Sequence, residues 1–481
     1  MDSPAQKLVL AIGTTLLVLM MLWVALHVLM SPFGRDQGIF AWQGMAILQG
    51  GMPYADAWDH KGPLGPLLYA MAGATPLGVH LLDTALLVAT LGSLALFWPR
   101  REAGILAALL FLWLAAPNWW NSGQPDLWAA EFILLALVLL QYRHSLAAAM
   151  CGVLLGSIIL FKPVYVLPGA VAGFWFMHWR RKEIIPFVAG GSLPVIICLF
   201  WLWSGGALEA AFDAVVRFNL DVHLQQESQC GIVPPLRCIV YPAGSVFNPL
   251  VISALLVCLC AVWGAWRRKA WLLATVWAAA WLSLALQQRY FLYHYLPYFA
   301  VMALLAGEGV ADVTERLRFP RLFLACFLLV LSPLAIVTVR TVKVYDAPPE
   351  GFSAAMLQAA AEQIRSRTND TDRIYLWGYD AGLYVLSGRP AASKYGYNYP
   401  LLAGDASSRQ AELMFDLRKN LPRLVVIQHG DRNSLYRKDS LEMLGEFREL
   451  EHFISDSYVE AWRNDGFIIY EHRSFPSALP R

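Results

Sequence analysis

The side chains of this sequence able to do chemistry gather in a few short stretches. The densest runs Tyr54-Ala-Asp56-Ala-Trp-Asp59-His60-Lys61-Gly-Pro-Leu64, and Arg35-Asp36-Gln-Gly precedes it. Asp36 stands just beyond a long apolar run, at the start of a helical pattern that ends at Gly50-Gly51, a C-terminal capping signal. Its carboxylate has two roles open to it. It can satisfy the orphan N–H groups and the dipole of the helix start, or it can take a proton from an attacking hydroxyl as a general base. Lys61 either keeps its head at a membrane interface while its stem lies in apolar surroundings, or meets a phosphate. The adjacent His60 favours the phosphate.

Three further places carry charge among apolar residues. Asp126 follows Gln124-Pro125, where an acid can cap a helix or line a site, and Glu131 lies more than one turn farther into an apolar run. Ionisable groups inside a membrane span are costly and face a cavity or a partner. The stretch Gln287-Gln-Arg289-Tyr-Phe-Leu-Tyr293-His294-Tyr-Leu-Pro297 is aromatic, as an interfacial belt is, but it also holds two cations. Arginine suits bidentate phosphate recognition. Lys162 adds another cation between two short apolar runs, with interfacial snorkelling as its plain alternative. Acids and cations arranged in this way suit a substrate with a lipid tail and a phosphate head.

The elements that must position them are membrane helices. Apolar residues make up 58% of the chain and charged residues 15%, against about 25% charged in soluble domains. A net charge of +2 gives no reason to expect a nucleic-acid partner. With about 20 apolar residues needed per span, Leu8 to Met30 reads as an uncleaved first span. Further candidates lie near 80–98, 102–117, 125–142, 145–161, 164–178, 184–204, 246–266, 270–287, 295–312 and 321–341, about eleven in all. The Arg100-Arg101, Arg143-His144, Arg180-Arg181-Lys182 and Arg267-Arg268-Lys269 clusters, and the segment from Thr314 to Arg321, then share one side. The positive-inside rule makes that side cytoplasmic. The N-terminus is expected in the cytoplasm, and the candidate stretches and the C-terminus outside.

Residues 1–345 read as the membrane part and 346–481 as an extracytoplasmic α/β domain after the Ala347-Pro-Pro349 turn. In that domain, Ala354 to Arg367 and Ala411 to Asn420 have helical patterns. Arg373 to Trp377, Leu424 to Ile427 and Gly466 to Tyr470 read as strands, the second fully apolar as in parallel sheets. The loop after 204 holds an amphipathic pattern, with Leu208, Phe212, Val215 and Val216 on one face and Glu209, Asp213 and Arg217 on the other. Such a helix is expected to lie on the membrane surface. Cys151, Cys198, Cys258, Cys260 and Cys326 fall in apolar spans and read as packing residues. Cys230 and Cys238 share the long outer loop, where an oxidising compartment favours a disulfide over two free thiols.

The pattern Asp-x-Gly, a helix, Gly-Gly-x-Pro-Tyr and then Asp-His-Lys-Gly-Pro-Leu resembles the bacterial glycosyltransferase family 39 group. That group is related to the dolichyl-phosphate-mannose protein mannosyltransferases and to the lipid A aminoarabinose transferases. The 289–297 stretch is similar to the group's late outer-loop motif. The resemblance implies a GT-C fold in the bacterial inner membrane and transfer of a sugar, with inversion, from a polyprenyl-phosphate donor to an acceptor hydroxyl on a lipid, glycan or protein. Asp36 would be the general base and Lys61 the donor-phosphate ligand, with His60, Arg289, His294 and Lys162 as further phosphate or acceptor contacts. Asp126, Glu131 and Asp59 remain candidates for a second acid, because this chain departs from the group's Glu-rich stretch there. A lipid phosphate leaves readily, so cations at the leaving group and a base at the acceptor suffice. No ligand cluster demands a divalent metal, which leaves one open. The competing reading is a transporter or flippase for a lipid-linked sugar, whose cations bind phosphate without chemistry. It would favour internal repeats, which the sequence does not show.

Overall fold

The structure is a computed structural model describing residues 4–115, 121–225, 249–317, 326–333, 335–336, 354–432 and 438–475. By contacts the chain divides into two compact units. One comprises Met1–Met30, His80–Phe200 and Glu227–Lys343; the other comprises Ser31–Val79, Trp201–Gln226 and Val344–Arg481. The Ala347-Pro-Pro349 turn, Cys230 and Cys238 lie outside the described residues.

The first unit is helical. By length and composition, the helices at Leu10–Met30, Pro76–Phe97, Arg181–Ser204 and Leu292–Arg316 are long and apolar enough to cross a membrane, and Ser145–Leu160, Ile252–Arg267 and Trp271–Gln287 are shorter apolar helices. At its centre stands the Leu296–Arg316 helix, buried along nearly its whole length. It packs on Pro249–Arg268, Arg101–Ala115 and Pro125–Leu139. Close approach explains part of this. A Cβ on Gly309 would meet the Cys260 carbonyl at 2.0 Å, and one on Gly264 the Leu305 carbonyl at 2.1 Å. Small residues at such crossings let backbones touch and gain dispersion where lipid offers no hydrophobic drive. At one end of this helix Arg100 and Arg268 converge on Glu308, and Arg267 and Arg316 on Asp312.

The apolar stretch around Lys162 forms two helices, as the two short runs predict. Ser145–Ser157 tightens into a 3-10 turn at Ile158–Leu160, and a second such turn at Pro163–Tyr165 leads into Val166–Trp179. Pro163 lacks an N–H and pushes Lys162 into extended backbone.

The second unit holds a four-stranded sheet, β1 Ile374–Trp377, β2 Leu424–Gln428, β3 Tyr458–Arg463 and β4 Phe467–His472, in the order β1-β2-β4-β3. β1 and β2 are parallel, with Ile374 opposite Leu424, and the other pairs are antiparallel. Every residue of β2 is buried. The Ala354–Arg367 helix buries Leu357, Ala360, Ala361 and Ile364, the spacing of one helical face. In the same unit the Arg35–Leu48 and Leu64–Met71 helices pack together, and the first of them packs on the Gly382–Ser387 helix.

The segment after Ser204 is helical and changes its winding along its length. It is α-helical at Leu208–Phe212 and then widens into π-type turns at Asp213–Arg217 and Asn219–His223. Ala211, Ala214 and Phe218 are its buried side, while Leu208 and Phe212 are exposed. The wider turns rotate the later residues away from the ideal α-helical register. Asp213 and Arg217, on the exposed side, form an ion pair one turn apart.

Candidate active site

In the second unit, Gly34 and not Asp36 caps the Arg35–Leu48 helix, and Gln37 reaches back to accept from the Gly34 N–H. Asp36 sits in the first turn, where an anion is favoured by the helix dipole, with its carboxylate 26% exposed. The helix ends at Gln49, and Gly50 turns the chain with a φ of +86°.

The loop that follows is tightly held. Tyr54 takes a φ of +70°, rare for a bulky residue. It is fixed there by its N–H donating to the Ala57 carbonyl at 2.8 Å and its hydroxyl donating to the Lys61 carbonyl at 2.8 Å. Gln43 donates to the same Ala57 carbonyl at 3.0 Å. Strain held by several contacts is common where geometry matters. Asp56 is exposed and closes a turn by accepting from the Met52 N–H.

This loop brings Lys61 between two carboxylates. Its ammonium lies 3.8 Å from Asp36 Oδ2, 3.9 Å from Asp59 Oδ2 and 4.7 Å from the centre of the Phe40 ring. Asp59 is 1% exposed; its Oδ1 accepts from the Tyr397 hydroxyl at 2.8 Å and lies 3.2 Å from His60 Nδ1. Burial alone would raise the Asp59 carboxyl. The charges of Lys61 and His60, with hydrogen bonds from His60 and Tyr397, outweigh it and hold Asp59 well below the usual carboxylate range. The His60 ring stands 4.9 Å from that of His223 and 5.6 Å from that of Tyr399, and the Asn219 amide donates to the His60 carbonyl at 2.7 Å. Thus Asp36, Asp59, His60 and Lys61 form one cluster in this unit, walled by residues 218–223 and 394–399. Asn219, His223, Tyr397 and Tyr399 were not legible as site residues. The run Tyr395-Gly-Tyr397-Asn-Tyr399 was the one available signal for the last two.

In the first unit, Lys162, Asp126 and the late aromatic stretch meet. Lys162 Nζ donates to Asp126 Oδ1 at 2.8 Å and to Gln287 Oε1 at 3.4 Å, and lies 5.4 Å from the centre of the Tyr293 ring. The Tyr165 hydroxyl donates to the same Asp126 oxygen. Gln288, with a φ of +52°, ends the Trp271–Gln287 helix and turns the chain into buried Arg289. The His294 ring is hydrogen-bonded to the Arg289 carbonyl, just before the central helix begins. Glu131 lies elsewhere in this unit, fully buried within electrostatic reach of Asp83. Asp83 accepts from the Ser122 hydroxyl at 2.9 Å and the Trp128 indole at 2.8 Å. Asp126 and Glu131 therefore have different settings. Among the described residues no group of three or more His, Cys, Asp and Glu side chains is placed to hold a metal ion.

No family model matches the sequence. No curated protein matches it either. Solved structures do. ArnT from Cupriavidus metallidurans, bound to undecaprenyl phosphate, superposes with a TM-score of 0.62 at 16% identity, covering 95% of this chain and 97% of that one. The chain has the GT-C membrane fold. ArnT in its apo state superposes with a TM-score of 0.60. The archaeal oligosaccharyltransferase AglB from Archaeoglobus fulgidus, in complex with an inhibitory peptide and a dolichol-phosphate, gives 0.54 at 13% identity over 96% of this chain and 74% of that one. The GT-C fold agrees with the architecture expected from the first-loop motif.

Proposed function

We propose that this protein is an integral membrane glycosyltransferase that moves a sugar from a polyprenyl-phosphate carrier to an acceptor hydroxyl, with inversion, on the extracytoplasmic side. The observation that carries the reading is the partly exposed Asp36 carboxylate beside the Lys61 ammonium, on a fold shared with proteins solved with undecaprenyl phosphate and dolichol-phosphate.

In this reading the acceptor oxygen attacks the anomeric carbon as its proton passes to Asp36. The bond from that carbon to the phosphate oxygen breaks, and its electron pair stays on the lipid phosphate. Lys61 stabilises the charge gathering there. Because Lys61 already faces two carboxylates, it brings little net positive charge by itself. The neighbouring His60 is therefore assigned to the phosphate as well, and Arg289, His294 and Lys162 are kept as phosphate or acceptor contacts on the family resemblance alone. Asp59 serves as an anchor for Lys61 and His60, since a buried, ionised carboxylate held by both is a poor acid. Residues 346–481 are assigned to the extracytoplasmic side, where they would shape the acceptor site.

The test uses purified protein in nanodiscs with a panel of radiolabelled polyprenyl-phosphate sugars and a membrane extract as acceptor source. Release of polyprenyl phosphate by wild type, lost in Asp36→Asn, establishes the activity and names the sugar. Binding of every donor without release, with acceptor extract present, assigns the protein to transport instead.

A further inference from the structure

Arg35 is the first residue of the helix that carries Asp36. A cation at a helix N-terminus opposes the helix dipole, so its place there needs an anion. Asp380, 3% exposed, supplies one, with Oδ1 standing 3.4 Å from Arg35 Nε. The other oxygen of Asp380 is held from behind. The buried Gln428 amide donates to Oδ2, while its own oxygen accepts from the N–H groups of Tyr379 at 2.8 Å and Asp380 at 3.1 Å. The charged and titratable groups that face Asp380 are Arg35 and Asp431. Asp431 is itself fixed by the N–H of Ser440 at 2.8 Å and its hydroxyl at 2.7 Å. The Tyr379 ring lies 5.9 Å from the Arg35 guanidinium.

The packing beside this pair leaves little slack. A Cβ on Gly38 would come within 2.7 Å of the Gly382 nitrogen, so the two backbones touch. One turn farther on, Trp42 stacks on Tyr384 with ring centres 5.4 Å apart. A shift of Arg35 is a shift of its neighbour Asp36.

We infer that Asp380, acting through Arg35, is a positioning residue for the Asp36 carboxylate, so that the sheet-bearing residues set the geometry of the reaction at the first loop. The inference rests on the reading of Asp36 as the general base. It has a pH signature. Burial pushes Asp380 up to about 6; Arg35 opposes this, Asp431 adds to it, and Gln428 opposes it. Below that pH Asp380 is protonated and its hold on Arg35 weakens.

The experiment compares wild type, Asp380→Asn, Arg35→Gln, the double variant and Asp36→Asn for polyprenyl-phosphate release between pH 5 and 8, with thermal unfolding recorded for each. In Asp380→Asn the expected result is a kcat lower by roughly ten- to a hundredfold, since small displacements of a reacting group have effects of that size. The donor KM stays within about twofold, because the substrate contacts remain. Wild-type kcat falls below a pH of about 6, that limb is absent in Asp380→Asn, and the double variant is no worse than either single one because the pair acts as a unit. If Asp380→Asn does not fold, Arg35→Gln carries the same comparison, because it leaves a carboxyl that can take up a proton. A wild-type kcat and acid limb in the folded variant, with Asp36→Asn inactive, overturns the positioning role and leaves the proposed function standing. Turnover retained by Asp36→Asn overturns the proposed function and this inference with it.

Discussion

The Lys61 ammonium lies 3.8 Å from the Asp36 carboxylate and 3.9 Å from that of Asp59. One of these acids is partly open to solvent and the other is sealed, and this asymmetry separates their proposed roles. Asp36→Asn is expected to lower kcat by about 10²- to 10⁴-fold, the range for losing a general base, with donor KM nearly unchanged. Lys61→Ala is expected to raise donor KM as well, because it removes a phosphate contact already present in the ground state. Steady-state kinetics on the donor identified by the release assay separates the two.

Asp59→Asn leaves Lys61 and His60 without their buried counter-ion. Breaking a buried pair in this way destabilises by about 3–5 kcal/mol. The effect depends on pH. The folded value of Asp59 lies below its ordinary 3.8, so its contribution is fully present above that value and is lost as pH falls through the folded value. Thermal unfolding should show a large deficit for Asp59→Asn at neutral pH and a smaller one in strong acid. An equal deficit at both would mean that Asp59 acts through packing alone.

Gly38→Ala tests the contact beneath Asp36. The added methyl would meet backbone at 2.7 Å, which cannot swing aside as a side chain can. Overpacking of this kind costs about 1–3 kcal/mol. The variant should unfold at a lower temperature and lose turnover, whereas Gly50→Ala should affect stability through its φ of +86° and leave the Asp36 helix seated.

The parts of the fold legible in sequence are those with a strong local signal. The Ala354–Arg367 helix follows from one apolar face, and β2 from an unbroken apolar run. β3 was missed because Tyr458–Arg463 is a half-exposed edge strand with a bulge between Glu460 and Trp462, which blurs its alternation. At the site, Asp36 and Lys61 stood out because charges beside apolar runs demand a reason. Tyr397 and Asp380 did not stand out, because each meets the first loop across more than 300 residues of chain. Nothing in their own neighbourhood encodes that partner. Lys162 and Asp126 were each read singly, and their pairing across the Pro163 break is likewise tertiary.

That pairing separates structure from binding at Lys162. Lys162→Met strands the fully buried Asp126, which keeps Tyr165 as a donor but loses its cation. The expected loss is about 3–5 kcal/mol. Adding Asp126→Asn removes the stranded charge, so the double variant should regain most of that stability, a coupling that a double-mutant cycle reads directly. The rescued protein then asks the functional question without a folding defect. If Lys162 contributes to phosphate binding, the double variant unfolds near the wild-type temperature yet binds undecaprenyl phosphate more weakly in nanodiscs. Affinity equal to wild type would confine Lys162 to tying the turn between the two short helices to Asp126 on the Pro125–Leu139 helix.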